Sequence, residues 1–201
     1  YSMVQKYGSV SGAESHNLGV LNNVKTNYDD EFADELRFQL NEQWISSCST
    51  CDPWSSSTDP GVLLNSFTGW APGGFSTSHD VASLWSNRDF NGSTVGLAWV
   101  GTVCTNYKYN VLQDFTSDGD LKRCMQAHEL GHNFNADHSS VGIMAPTVSH
   151  DNFWEQISKT QIQNYYGGIY CLSSCAPSNP PVANFTYQFV EQCIPAQQLG
   201  M

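Results

Sequence analysis

The sequence has few basic residues and no long apolar segment. Its 201 residues contain 8 Lys and Arg against 19 Asp and Glu, which gives a formal net charge of −11. A chain with so little positive charge cannot gather the phosphates of a nucleic acid, so nucleic acid is not expected as a partner. No apolar run approaches the ~20 residues that a membrane helix needs, so no membrane span is expected. We find no internal repeat, and we expect a monomer.

The composition is typical of a folded protein from an oxidising compartment. Apolar residues make up 40% of the chain and aromatic residues 12%, which is enough for one compact unit with a substantial core. The seven cysteines are many for a cytosolic chain of this size, so we expect a secreted protein. Cys48 and Cys51 have no second pair at zinc-binding spacing, which favours a local disulfide between them.

Apolar periodicity predicts a mixture of helices and strands. Strict alternation of apolar and polar residues predicts a strand over 36–44 with one buried face. The remaining elements are predicted as helices over 17–32, 61–70 (ending at Gly69), 79–85 (as the start of a helix), 121–135 and 155–168, and as strands over 93–101 and 107–115. After Cys175 the run APSNPP marks a boundary, so residues 177–201 are expected to be a tail or the stub of another module.

Three of the six histidines lie within the eleven residues HELGHNFNADH. His128 and His132 are four positions apart, so on a helix their imidazoles share one face and can bind one zinc ion. Glu129 lies between them in the H-E-x-x-H pattern, where it can accept a proton from water without being a ligand. His138 is six residues further on, so the chain must turn before a third imidazole can reach the same ion.

The turn is expected near Asn135. A sharp reversal at a helix end usually needs the left-handed backbone conformation, which glycine adopts freely and which asparagine tolerates next best. We therefore expect Asn135 to adopt this conformation and the three-histidine site to form.

The segment HELGHNFNADH followed by GIMAP resembles the metzincin zinc peptidases, whose pattern is H-E-x-x-H-x-x-G-x-x-H with a downstream methionine turn. Two further segments resemble the adamalysin, or reprolysin, branch: HDVASLWSNRDFNGSTVGLAWVGTVC at 79–104 and LRFQLNEQW at 36–44. The sequence departs from the family at Asn135, where the pattern has glycine. It departs from the branch at Ser139, where adamalysins usually carry aspartate.

The resemblance implies an α/β fold with a twisted, mostly parallel sheet, helices above a zinc cleft and a small irregular C-terminal subdomain. The catalytic domain would cover residues 1–176, with an upper part to about residue 138 and a lower part over 139–176. The family domain opens with a strand before the segment that YSMVQKYG resembles, and this sequence shows none. Either cleavage removed that strand or another segment takes its place. We expect residues 182–190 of the tail to fill or cover the vacant position, because an open sheet edge invites aggregation.

The resemblance also assigns roles to single residues. The ligands of one catalytic zinc ion would be His128, His132 and His138. Glu129 would be the general base, and Met144 would form an apolar floor beneath the metal. Met144 is not expected to bind the metal.

Two further features come from the resemblance. Asp80 would be an oxygen ligand of a structural calcium ion, with a helix cap as an equal alternative. Cys104 would form a disulfide with Cys171 or Cys175, and Cys124 with the remaining one of the two.

The segment VGLAWVG precedes the zinc helix, and in metzincins this strand is the exposed edge along which an extended substrate lies. Main-chain contacts to substrate would come from Gly96, Leu97, Ala98 and Trp99. The wall of the pocket beside the zinc would be formed by Ile143, Ala145, Pro146, Thr147 and Val148. These residues favour an apolar substrate side chain just after the scissile bond.

The function that the resemblance implies is that of a secreted zinc endopeptidase, which hydrolyses internal bonds of protein or peptide substrates. The alternative is an adamalysin-like binding or adhesion module that keeps zinc but has little activity. Loss of Glu129 or of one of the three histidines would favour the module. All four residues are present, which favours the enzyme.

Overall fold

The computed structural model describes residues 1–33 and 35–173, which form a mixed α/β fold. Within this part of the chain there are five helices and three strands, in the order α1 (Ser2–Tyr7), α2 (Val10–Glu31), α3 (Pro60–Gly74), β1 (Ala82–Ser86), β2 (Gly96–Ala98), β3 (Tyr109–Gln113), α4 (Gly119–Asn133) and α5 (Gln156–Tyr166). None of these described helices is long and apolar enough to cross a membrane.

The sheet has the strand order β1-β3-β2. β1 runs parallel to β3, with Ala82 opposite Tyr109. β2 runs antiparallel to β3, with Gly96 opposite Leu112. The α/β class is therefore as expected, but the described sheet is mixed rather than mostly parallel, and β2 forms one of its edges.

Helix α4 is the central element because it packs between α2 and the sheet. Asp118 begins the helix by accepting hydrogen bonds from the backbone N–H groups of residues 120 and 121, and residues 122–131 are all buried. On one side, the Tyr28 hydroxyl of α2 donates a hydrogen bond to the Ala127 carbonyl at 3.0 Å. On the other side, the Asn133 side chain holds β3 and the end of β2. Both faces of the zinc-motif helix are thereby fixed.

The buried carboxylate of Asp114, just after β3, joins α1 to the first turns of α4. It forms ion pairs with Lys6 at 2.9 Å and with Lys122 at 3.2 Å. The Tyr7 hydroxyl donates to it at 2.7 Å, and the His16 ring lies 3.7 Å away. Two cations and a hydroxyl thus compensate for the burial of one negative charge.

Several element predictions were wrong. Residues 36–44 are not assigned as a strand, because β1 is hydrogen-bonded only to β3 among the described residues. A cavity of about 590 Å³ lies between residues 35–46 and the other side of β1. Residues 79–85 do not start a helix but lead into β1, since pairing with β3 fixes them as extended chain. Helix α3 continues past Gly69 and includes Pro72.

Other element predictions were confirmed, with shifted ends. Helix α2 begins seven residues before the predicted start at residue 17, where Ser9 caps it by accepting from the Gly12 N–H. Strands β2 and β3 lie inside the segments predicted for them, and so do most residues of α4 and α5. The short helix α1 was not predicted.

Two disulfides join described residues. Cys48 is bonded to Cys51, as predicted. Cys104 is bonded to Cys171, which selects one of the two partners expected for it. Cys124 is buried and free, so the pairing predicted for Cys124 is not observed among the described residues, while Cys175 and the tail segment 182–190 lie outside them.

Candidate metal centre

Three imidazoles meet at one point in the structure. The ligand atoms of His128, His132 and His138 lie within 4.8 Å of one another, close enough to hold one metal ion. The first two side chains project from α4, and the third follows after the chain has turned back. Asn135 has a φ of 70°, so the predicted left-handed turn is confirmed. Its N–H donates to the His132 carbonyl at 2.8 Å, which closes the turn.

Backbone carbonyls orient two of the rings. Nδ1 of His128 lies 2.7 Å from the Ile143 carbonyl oxygen, and Nδ1 of His132 lies 2.7 Å from that of Ala136. A carbonyl oxygen only accepts, so each Nδ1 must carry the proton. Each Nε2 therefore keeps its lone pair for a metal, which is the arrangement typical of metal-binding histidines.

Protonation of these rings is unfavourable. Burial, together with the neighbouring rings of His132 and His138, lowers the pKa of His128 to about 4. Burial also lowers the pKa of His132. Neutral imidazole is the form that binds a metal, so the local environment favours ligation at neutral pH.

The Glu129 carboxyl is buried beside the histidines, with 5% of the residue exposed. Burial raises its pKa to about 8, and its Oε2 atom has no hydrogen-bond partner among the described residues. A cation close to such a carboxyl favours the charged form. The group is therefore placed to change its protonation state during a reaction.

Met144 and Trp154 pack against the helix that carries His128 and His132, and we call this pair the apolar floor. Met144 is fully buried, and its sulfur packs directly against Gly131, one residue before His132. The indole ring of Trp154 contacts the same glycine. Any side chain at Gly131 would collide with these two groups, so the glycine lets the floor approach the helix between its two histidines.

The edge strand β2 lies next to the carboxyl. A side chain at Gly96 would overlap the Glu129 carboxylate, so Gly96 leaves room for the carboxylate. Leu97 and Trp99 face the opposite side, where they pack against the apolar cluster that includes α3. The Trp99 indole N–H donates to Thr68 Oγ1 at 3.0 Å. Because side chains alternate along a strand, Gly96 and Ala98 share the face towards α4.

Sequence comparison identifies the family to which this site belongs. The reprolysin model of metallo-peptidase family M12 matches residues 1–163. The chain belongs to this family. The match also assigns the reprolysin branch, although the sequence departs from that branch at Ser139. In the structure the three histidines of the sequence motif lie close enough together to hold one metal ion.

Three curated relatives match part of this chain. Zinc metalloproteinase-disintegrin-like atrase-A of Naja atra is 40% identical over 108 residues, which cover 48% of this chain and 18% of that protein. A zinc metalloproteinase-disintegrin-like protein of Cerberus rynchops is 33% identical over 132 residues, or 59% of this chain and 21% of that protein. Snake venom metalloproteinase atroxlysin-1 of Bothrops atrox is 41% identical over 83 residues, or 37% of this chain and 41% of that protein. The chain spans less than half the length of each.

The predicted wall of the substrate pocket is only partly accessible in this reprolysin. Ile143 is 1% exposed and belongs to the core, so its main contribution is the carbonyl that holds His128. Ala145 and Val148 are half-buried, whereas Pro146 and Thr147 are exposed. The contact of these residues with substrate stays a prediction.

The predicted calcium ligand lies apart from the zinc centre. Asp80 is exposed, and its carbonyl accepts from the Cys104 N–H just before β1. The described residues group its carboxylate only with Cys104 and Cys171, whose sulfurs form a disulfide. Asp80 does not cap a described helix, because the segment that follows it is β1. Its calcium role stays a prediction.

Asn133 is a site-positioning residue that sequence reasoning missed. Its amide donates to the carbonyls of Trp99 at 2.9 Å and Tyr109 at 3.1 Å, and its oxygen accepts from Asn110 at 2.7 Å. These bonds fix the zinc helix against β2 and β3. The only signal in the sequence was a polar residue next to His132 on a helix face that had to be buried. The sequence did not indicate which groups would form hydrogen bonds with this residue.

Proposed function

We propose that this reprolysin is a secreted zinc endopeptidase, and that residues 1–176 form its catalytic domain. The observation that carries the proposal is the convergence of three imidazoles on one point beside the buried carboxyl of Glu129. We assign the ligand role to His128, His132 and His138. The domain has an upper part to about residue 138 and a lower part over 139–176, with the cleft between them.

The residues present fit a zinc ion. Three histidine nitrogens with one open position are the ligand set of catalytic zinc sites, and the Ile143 and Ala136 carbonyls already fix two of the rings. Zinc bound here supplies Lewis acidity, which polarises a scissile carbonyl and lowers the pKa of a water to ~7.

Glu129 carries the proton through the reaction. Its carboxylate accepts a proton from the attacking water and later donates it to the leaving amine, so the residue returns to its starting state. Burial raises its pKa and a bound cation lowers it, and these opposing effects suit a carboxyl that both accepts and releases a proton near neutral pH. The Gly96 backbone leaves the space in which this carboxyl moves.

The outer edge of β2 is the proposed seat of the substrate. β2 pairs with β3 on one side and is the last strand of the described sheet on the other. An extended peptide can add its main chain to such an edge. Such pairing puts the main-chain contacts to substrate next to Glu129, at Gly96, Leu97, Ala98 and Trp99. Because these contacts involve only the substrate main chain, they support cleavage at internal bonds of an extended peptide.

Secretion is supported by two observations. The described residues contain two disulfides, which persist mainly in oxidising compartments. One relative is named as a snake venom metalloproteinase. Zinc is the cofactor of the proposed enzyme, and proteins or peptides are its substrates.

A binding module remains the second candidate, because two relatives are named disintegrin-like. Those names describe proteins of which this chain spans about a fifth, so the named feature does not transfer to this chain. The presence of Glu129 in contact with β2 favours catalysis, since a binding module does not need a buried carboxyl whose Oε2 has no hydrogen-bond partner among the described residues.

Two variants separate the chemistry from metal binding. Glu129→Gln keeps the size of the side chain but cannot accept a proton. It should retain about one zinc per chain while turnover of a quenched peptide falls by at least ~10² to 10⁴. His132→Ala removes a ligand and should lose both zinc and activity. Elemental analysis and a fluorescence assay on the same preparations give the two readouts.

Two results would contradict the proposal. Wild-type activity in Glu129→Gln would remove the general base from the mechanism. Full zinc content in His132→Ala would show that the metal is held elsewhere.

A further inference from the structure

Asn27 is a buried amide on α2, outside the zinc motif. Its Nδ2 donates to the Asn152 carbonyl at 2.7 Å, and its Oδ1 accepts from the indole N–H of Trp154 at 3.3 Å. The side chain therefore holds both ends of the three-residue segment 152–154. Only 9% of Asn27 is exposed, so water does not readily replace these bonds.

The middle residue of this segment leads to the metal centre. The Phe153 carbonyl accepts a hydrogen bond from the Ile143 N–H at 3.0 Å. The Ile143 carbonyl in turn accepts from Nδ1 of His128 at 2.7 Å. One unbroken series of hydrogen-bonded groups thus runs from Asn27 through segment 152–154 and Ile143 to His128.

The last residue of the segment reaches the same helix by packing. The indole ring of Trp154 contacts Gly131 beside the sulfur of Met144. The indole also packs edge-to-face against Tyr28 of α2 and against Phe32 at the end of α2, with ring centroids 4.9 and 5.8 Å apart and interplanar angles of 68° and 66°. The hydrogen bond to Asn27 sets the rotation of the indole and hence the position of the apolar floor.

We propose that Asn27 is a positioning residue for the zinc site, which fixes His128 and the floor under the histidines through segment 152–154. The inference rests on the proposed function, because the proposed function assigns a zinc ion to His128, the residue at which this series of contacts ends. A wholly structural amide would stabilise the fold without changing the metal. A positioning amide changes the affinity and the coordination geometry of the metal when it is removed.

Asn27→Leu is the direct test, because it keeps the approximate volume and removes both hydrogen bonds. Zinc affinity is measured by competition with a chromophoric chelator, and ligand geometry by the visible spectrum of the cobalt-loaded protein. We expect the zinc dissociation constant to rise at least ~10-fold, in the range found when groups that orient metal ligands are removed, and the cobalt bands to shift.

Val24→Ala is the matched control. Val24 lies three residues earlier on the same helix and is fully buried, and its truncation loosens the core while leaving the Asn27 hydrogen bonds to segment 152–154 in place. It should bind zinc and cobalt as the wild type does. Trp154→Phe is a second test that removes the N–H donor to Asn27 together with the outer indole atoms that contact Gly131, and it should raise the dissociation constant several-fold.

Wild-type affinity and an unchanged cobalt spectrum in Asn27→Leu would overturn the inference. Equal weakening in Val24→Ala would also overturn it, because general loosening of the core would then explain the effect. If Asn27→Leu does not fold, Trp154→Phe decides, and wild-type binding by that variant overturns the proposal. If the wild type takes up no zinc, the proposed function fails first.

Discussion

At the residue scale, the site depends on close approaches that only small side chains allow. Gly131 admits Met144 and Trp154 to the surface of the zinc helix, and Gly96 admits the Glu129 carboxylate to the face of β2. Both contacts bring a reactive or supporting group closer to the histidines than any larger residue would permit. The geometry of the centre is therefore sensitive to single methyl groups.

Gly96→Ala tests this sensitivity. The added methyl would overlap the Glu129 carboxylate, so the carboxyl must move while the histidines stay in place. We expect turnover to fall by roughly 10²-fold, the order typical of a 1 Å misplacement, with zinc content unchanged. Gly19→Ala on α2 is the control, because nothing lies within 4 Å of its added methyl. Equal activity of Gly96→Ala and the wild type would contradict the proposed position of Glu129.

The residues of the candidate metal centre could be found from the sequence, whereas its supports could not. Helix periodicity alone brings His128 and His132 together, and the chemistry of left-handed turns predicts the conformation of Asn135. The groups that orient the rings are backbone carbonyls, which any residue carries, so the Ile143 and Ala136 carbonyls left no signal. Asn27 lies about 100 positions before His128 in the sequence, and only the tertiary fold brings it close.

At the element scale, the errors have a common physical cause. Alternation over 36–44 identifies a buried face, but a strand also needs a neighbouring strand that pairs with its backbone groups. In the sheet of the described residues, no strand pairs with residues 36–44. The opposite error arose at 79–85, where a short apolar run does not distinguish a helix from a strand covered on both faces. Helices α2 and α4 were predictable because their periodic patterns are long.

The Cys104–Cys171 disulfide ties the loop after β2 to the segment after α5. In the loop-closure model, the stabilisation grows with the number of positions that a disulfide spans. Cys104–Cys171 spans 67 positions and stabilises the fold by about 4 kcal/mol. Cys48–Cys51 spans three positions and contributes about 2 kcal/mol. Replacing both cysteines of the long pair by serine should therefore lower the free energy of unfolding about twice as much as replacing the short pair. Denaturant unfolding measures both, and equal losses would contradict the loop-closure account.

The Asp114 cluster should make the contact between α1 and α4 sensitive to acid. Burial alone would raise the pKa of Asp114, but hydrogen bonds from Lys6 and Tyr7 and the charges of His16 and Lys122 outweigh it and lower the pKa. A lowered folded-state pKa contributes stability that is complete above the unfolded value of ~3.9 and is lost as the pH falls through the folded value.

Asp114→Asn removes this titration. As the pH falls below about 4, the free energy of unfolding of the wild type should decrease more steeply than that of the variant, and the two curves should converge in acid. Urea unfolding at a series of pH values measures the slopes. Parallel curves would show that Asp114 does not titrate differently in the folded and unfolded states.

At the scale of the whole molecule, the described part is one α/β unit built around α4. This helix packs between α2 and the sheet and carries His128, Glu129 and His132, while His138 follows after the turn at Asn135. The net charge of −11 disfavours association with other acidic molecules. Residues 177–201 are proposed to follow the catalytic domain as a tail or the beginning of another module.

The most direct test of the central claim is digestion of a denatured protein by the zinc-loaded wild type, followed by mass spectrometry of the products. The account predicts new internal termini that require zinc, disappear when a chelator removes the metal, and return when zinc is restored. It also predicts that apolar residues are enriched just after the cleaved bonds. A zinc-loaded, folded wild type that leaves the denatured protein intact would contradict the peptidase assignment and would favour the binding module instead.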